Sequence, residues 1–183
     1  MQDQGTAIMA AAGGGVWVLA AAVLRAGRAA LGQSQARFAT SAGVDVGVVA
    51  GVEDGTVPAW TLLGPVWERV VAAVRPELAD VLYAALACDL LLTSVLAGEQ
   101  FVTGDEFSEE YAGISRMLLR WAIAGELPVR GYARVPDSGP LLDAGTLARL
   151  HRAAGRLATS GSEDAWAGRD LLALFPSPWG AAA

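Results

Sequence analysis

Lysine is missing from this chain: all 13 basic residues among its 183 are arginine. Cysteine is confined to Cys88, inside an apolar run. One cysteine cannot build a disulfide framework, and the usage fits a reducing compartment, so a cytoplasmic location is expected. Histidine is confined to His151, with no cysteine cluster beside it. The ligand spacing of a zinc site is therefore missing, and no metal or other cofactor is expected. There is also no glycine-rich phosphate loop and no nucleophile elbow, so no catalytic residue is assigned and an enzyme is not expected. Asp105, Glu106, Glu109 and Glu110 read as first-turn helix acids that suit the helix dipole, not as catalytic pairs. His151 reads as an ordinary satisfied histidine.

Basic residues are also missing ahead of the first apolar run. Residues 6–24 carry no charge, but the run is mostly alanine and glycine, and only Asp3 precedes it. A signal peptide needs basic residues at that place, so neither export nor a membrane role is expected. Residues 77–97 are more apolar: Leu78, Val81, Leu82, Leu86, Leu90, Leu92, Val95 and Leu96 leave almost no polar face. Asp80 and Asp89 interrupt the run and argue against a bilayer span. A helix apolar all round is buried, either as a core helix joining two lobes, the favoured reading, or as a dimer interface. The chain is 54% hydrophobic, enough for a sizeable core.

The net charge of −6 argues against a simple non-specific polyanion binder. Its distribution is uneven. Residues 76–115 hold eight acids and no arginine, whereas residues 116–156 hold seven arginines against three acids. An electrostatic footprint for nucleic acid is expected in 116–156 and around Arg25, Arg28 and Arg37.

Residues 25–63 organise the chain. A first helix, from residue 16 to Leu31, closes at Gly32. Ser34 is a good N-cap for a second, through Phe38 and Ala39 to Gly43. Asp45 caps a third, residues 46–54, which stops at Gly55; Pro58 marks the next entry. Short helices joined by a tight glycine-containing turn make a helix-turn-helix. The stretch resembles the DNA-binding domain of the lambda-repressor/Cro type, the XRE family, through Arg25, Arg28, Gly32, Ser34, Gln35, Phe38, Ala39, Gly43, Val44, Val49, Val52, Glu53, Gly55, Pro58 and Leu62 in ungapped order. The resemblance covers about a third of the chain. It implies that the second helix crosses the DNA backbone and the third enters the major groove. It further implies that Gln35 contacts phosphate, with Arg37 beside it, and that Glu53 pairs with Arg28 in a structural role. Val46, Gly47, Ala50 and Gly51 then take the groove-facing positions. The third helix departs from the family: these residues and Val48 carry no side-chain donor or acceptor, which excludes bidentate base readout from them. Contact with thymine methyls and close backbone approach remain.

The second half is similar, more loosely, to the winged helix-turn-helix of excisionase- and MerR-like proteins. The similarity rests on residues 109–131, EEYAGISRMLLRWAIAGELPVRG, with a W-x-x-x-G-x-L-P run before a wing. It implies that Arg116 and Arg120 lie on a DNA-facing helix and Arg130 and Arg134 on the wing. Arg149, Arg152 and Arg156 add a basic stripe to a helix over 146–157. The bland alternative is a solvated face that balances the acids of 76–115. Thr103 to Glu106 reads as a capping box, Pro140 to Leu142 as the return strand of a short β-hairpin, and Ser162 as the cap of a last helix over 163–175. Trp179 reads as part of a frayed end or a partner-binding tag.

The expected fold is all-α: a flexible tail (1–15), a five-helix lambda-repressor-like domain (16–75), an apolar connecting or dimerisation helix (76–100) and a helical, winged-helix-like region (101–183). The expected function is a repressor-like DNA-binding transcriptional regulator of phage, plasmid or toxin–antitoxin type. Its partners would be double-stranded DNA, a second copy in a homodimer and, in an antitoxin, a toxin. The alternative is a protein-interaction or oligomerisation module whose degenerate helix-turn-helix no longer reads DNA.

Overall fold

The computed structural model describes residues 16–98, 109–126 and 140–180. The tail 1–15, the capping box at 103–106, Arg130, Arg134, most of the expected hairpin and residues 181–183 lie outside these. Every regular element among the described residues is helical. Leu141 and Leu142, expected in a returning strand, form bends instead.

Helix α1 spans Val18–Ala30 and buries Leu19, Ala20, Val23 and Leu24. Its end has an arithmetic cause: Gly32, at φ 64°, takes the left-handed conformation that stops the ladder. Helix α2 (Gln35–Ala42) starts at Ser34, whose hydroxyl accepts from the Arg37 amide at 3.2 Å, and ends at Gly43, φ 65°. Helix α3 (Val46–Glu53) starts at Asp45, whose carboxylate accepts from the Gly47 amide at 2.7 Å. A 3-10 turn (Ala59–Leu62) leads to α4 (Pro65–Ala73), where proline takes the first helical position and its missing N–H costs nothing.

A second 3-10 turn (Pro76–Leu78) opens α5 (Ala79–Ala97), the central helix. Its burial extends around the helix and includes Leu82, Ala85, Cys88, Leu91, Leu92 and Val95. Helices α1, α6 (Glu109–Ala124) and α7 (Ala144–Ala158) pack against it. By length and composition residues 76–97 would suffice to cross a membrane; here 72% of the apolar window is buried within the fold. The thiol of Cys88 is fully buried 3.6 Å from the Ser115 carbonyl, where it packs within the core, and desolvation pushes its pKa far up.

Helix α8 (Ala165–Leu174) packs on α7 at a point where a side chain cannot fit. A Cβ at Gly168 would stand 2.5 Å from the Ala158 amide nitrogen and 2.6 Å from the Ala154 carbonyl oxygen. Helix α7 begins two residues before the expected Thr146, and Asp143 caps it, accepting from the Thr146 amide at 2.9 Å. Ser162 does not cap α8; its hydroxyl lies 2.8 Å from that of Ser160, and the Ser162 carbonyl takes the Ala165 amide instead. Trp179, on the short turn Ser177–Gly180, is not loose: its ring lies 5.8 Å from Phe175 and 6.0 Å from His151. His151 completes this cluster, edge-on to Phe175 at 5.0 Å.

One hydrophobic cluster runs from Val16 through Phe38, Trp67, Leu82 and Trp121 to Leu171. It crosses the expected boundary at residue 75. Its deepest link is polar. Asp89, with no solvent exposure, accepts the amides of Leu19 at 3.0 Å and Ala20 at 2.9 Å, at the first turn of α1. Thr93, one turn further along α5, accepts the Val16 amide at 3.0 Å and donates to the Val16 carbonyl at 2.9 Å. Trp17, the residue before α1, caps nothing with its own side chain, so α5 supplies the cap from 70 residues away.

Desolvation pushes the Asp89 carboxyl well above the ordinary range, and the two amides hold it back only in part. A group with a raised folded pKa contributes most below its unfolded value, about 3.9, and loses that contribution as pH rises through the folded one. Asp89→Ala, which orphans two buried amides, should lower the unfolding free energy by about 1–3 kcal/mol per group left unpaired. Asp89→Asn should keep part of the cap and abolish the pH term. The stability of the parent relative to Asp89→Asn, from urea titrations, should decline as pH rises above about 4; a difference independent of pH would contradict the assignment.

Candidate nucleic-acid interface

The α2–α3 pair is held by one carboxylate. Glu53, 2% exposed, closes α3 and receives Arg28 of α1 through Nε at 2.6 Å and Nη2 at 2.9 Å. Gln35 of α2 donates its side-chain amide to the same carboxylate at 2.8 Å. The third Arg28 nitrogen, Nη1, donates to the Gln33 carbonyl at 2.6 Å in the α1–α2 link. Arg25 donates to the Glu53 carbonyl, and the Trp17 indole donates to that of Gly55. The Trp17 ring also meets Trp60 edge-on at 5.6 Å. The C-terminal end of α3 is thus fixed to both preceding helices, and the bidentate fork gives the join a single geometry. The hydrogen bonds to Glu53 raise the Arg28 pKa still further, so the guanidinium stays charged.

The sequence-derived positions separate on this frame. Arg28 and Glu53 form the pair just described. Gln35 is half-buried and turned to Glu53, so a phosphate would have to share its amide or meet the backbone. Arg37 is exposed on α2 and makes no ion pair among the described residues. Val46, 45% exposed, and Gly47 stand on the open side of the first turn of α3, with Ala50 half-exposed behind them.

Gly51 belongs elsewhere. It is buried, a Cβ there would lie 2.6 Å from Cγ2 of Val57, and its carbonyl accepts the amides of Thr56 and Val57, each at 2.9 Å. Its glycine serves the fold-back after α3, not a groove, and it is removed from the interface.

Arg116 and Arg120 are exposed on α6, where they line a cleft with α8 that includes no residue of α2 or α3. Arg149, Arg152 and Arg156 form an exposed row on α7. Sequence reasoning passed over Arg69: this exposed side chain of α4 comes within 3.9 Å of a Cβ position at Gly43, in the turn between α2 and α3. Its arginine identity was the one signal available, and only the fold brings it to the turn.

The exposed groups of the α2–α3 unit and its neighbour α4 therefore include two guanidinium groups, Arg37 and Arg69, and an apolar first turn of α3, while the Arg37 amide at the start of α2 is already taken by Ser34. Such a set suits phosphate oxygens and thymine methyls, and it has no side-chain means of telling guanine from adenine by hydrogen bonds. Comparison with protein-family models, curated proteins and solved structures returns no match.

Arg28→Ala should cost about 3–5 kcal/mol of unfolding free energy, since it leaves the Glu53 carboxylate buried without its cation. Arg28→Ala with Glu53→Leu should recover part of that loss in the same urea titration. Gly51→Ala should destabilise by about 1–3 kcal/mol through overpacking against Val57, and Val57→Ala in the same chain should relieve it. Losses that simply add would show that the two sites do not touch.

Proposed function

We propose that the protein is a DNA-binding transcriptional regulator whose α2–α3 unit docks mainly on the sugar–phosphate backbone. The observation that carries this reading is the pair of capped short helices, joined by the Gly43–Asp45 turn and locked by Arg28, Gln35 and Glu53, with Arg37 exposed on α2 and Arg69 exposed beside the turn. Support also comes from the ungapped XRE-like series in residues 25–62. On this reading sequence preference arises from thymine methyl contact at Val46 and Ala50 and from DNA shape, and affinity falls steeply with salt. A cytoplasmic homodimer placing two such units on two half-sites is part of the proposal.

A second reading has a specific observation in its favour. The exposed part of α3 is Val46 and Gly47, and Leu63 is 55% exposed nearby in sequence, which suits a protein partner as well as a groove. An interaction module, with a toxin as one candidate partner, would use that apolar surface.

Fluorescence anisotropy with the duplex upstream of the protein's own coding sequence and a scrambled duplex, at two salt concentrations, separates the readings. The regulator binds the upstream duplex more tightly, and Arg37→Ala weakens both duplexes alike and reduces the salt slope by about one. Retention of neither duplex at low salt, with a stable oligomer in solution, would select the interaction module.

A further inference from the structure

A cleft of about 400 Å³ opens between α5, α6 and α8, a size within the range of small-molecule sites. Its walls are largely apolar, with Leu91 from α5, Leu119 from α6, and Trp166, Leu171 and Leu174 from α8. Two adjacent rows of α6, each spaced four residues, face it. The deeper row is Ser115 and Leu119, both buried; the outer row is Arg116 and Arg120, both exposed.

Ser115 is anomalous. It is 2% exposed, and its hydroxyl has no hydrogen-bond partner, although its backbone carbonyl is engaged by Cys88. A buried hydroxyl without a partner costs about 1–3 kcal/mol, and a helical serine ordinarily avoids this by bonding back to its own helix. At the mouth, Arg116, Arg120 and Asp170 make no ion pair among the described residues. Two cations against one anion leave the opening electropositive.

We infer that this cleft binds a small amphipathic carboxylic acid, with its carboxylate on Arg116 and Arg120, its apolar body between Leu119, Trp166 and Leu171, and an oxygen substituent on the Ser115 hydroxyl. Each part answers an observation. The arginine pair matches a carboxylate, the leucine and tryptophan walls match a hydrocarbon or aryl body, and Ser115 gains the partner it lacks. Binding in this cleft does not depend on DNA.

Calorimetric titration of the full chain with 6-hydroxy-2-naphthoate, 2-naphthoate, 2-naphthol and octanoate reads each part in turn. The hydroxynaphthoate should bind at least about tenfold more tightly than 2-naphthol, the value of a charge-assisted pair. Arg116→Gln with Arg120→Gln should erase that margin. Both positions are exposed, and unchanged circular dichroism would show that the fold survives. Ser115→Ala should erase the preference of hydroxynaphthoate over 2-naphthoate and leave 2-naphthoate affinity intact. Octanoate binding more tightly than the aryl acids, with the same arginine dependence, would assign the cleft to alkyl acids within the class. Absence of heat with all four compounds at millimolar concentration, or affinities indifferent to both arginines, would overturn the inference.

Discussion

The fold depends on a carboxylate placed where none would be expected. Asp89 sits at the middle of the long apolar helix α5, with no solvent around it, and takes two amides from the start of α1. Carboxylates avoid such places because desolvation is costly. Here the cost is set against two amides that would otherwise be orphaned in the core, and against the positive end of a helix dipole. Thr93 extends the same junction by one turn. Helix α1 therefore begins at a point defined by a different part of the chain.

A second polar junction carries that definition outward. α1 starts on Asp89 and, two and a half turns later, presents Arg28 to Glu53. Glu53 in turn collects Gln35 and, through its carbonyl, Arg25. The two carboxylates lie at opposite ends of the chain of contacts that sets α3: Asp89 fixes where α1 begins, and Glu53 fixes where α3 ends. Between them the hydrophobic contacts of Leu24, Phe38, Val49 and Val52 supply most of the stabilisation, at roughly 1.5–3 kcal/mol for each large side chain buried, but little of the geometry.

Local signals in the sequence were readable and remote ones were not. Ser34, Gly43 and Asp45 act within three or four residues of themselves, and capping chemistry alone places them. Arg28 and Glu53 are 25 residues apart, and a family resemblance was needed to join them. Gly51 misled because a glycine on a short helix looks the same whether it faces a groove or Val57, and the fold-back at Thr56 decides which. Asp89 read as an interruption in an apolar run, since nothing near it names partners 69 and 70 residues earlier. The arginines of α6 could be counted from sequence, but the wall opposite them belongs to α8, some fifty residues on, and only tertiary packing sets the two face to face.

The remote cap on α1 also bears on modularity. Helices α1 to α4 look like a head that could be cut off and joined to another body. A fragment ending at residue 75 would leave Val16, Leu19 and Ala20 with no acceptor for their amides, and would strip α1 of the face it lays against α5. The head of this molecule has no independent beginning. Moving α1 to α4 into another protein would require α5 as well, because α5 supplies the cap of α1.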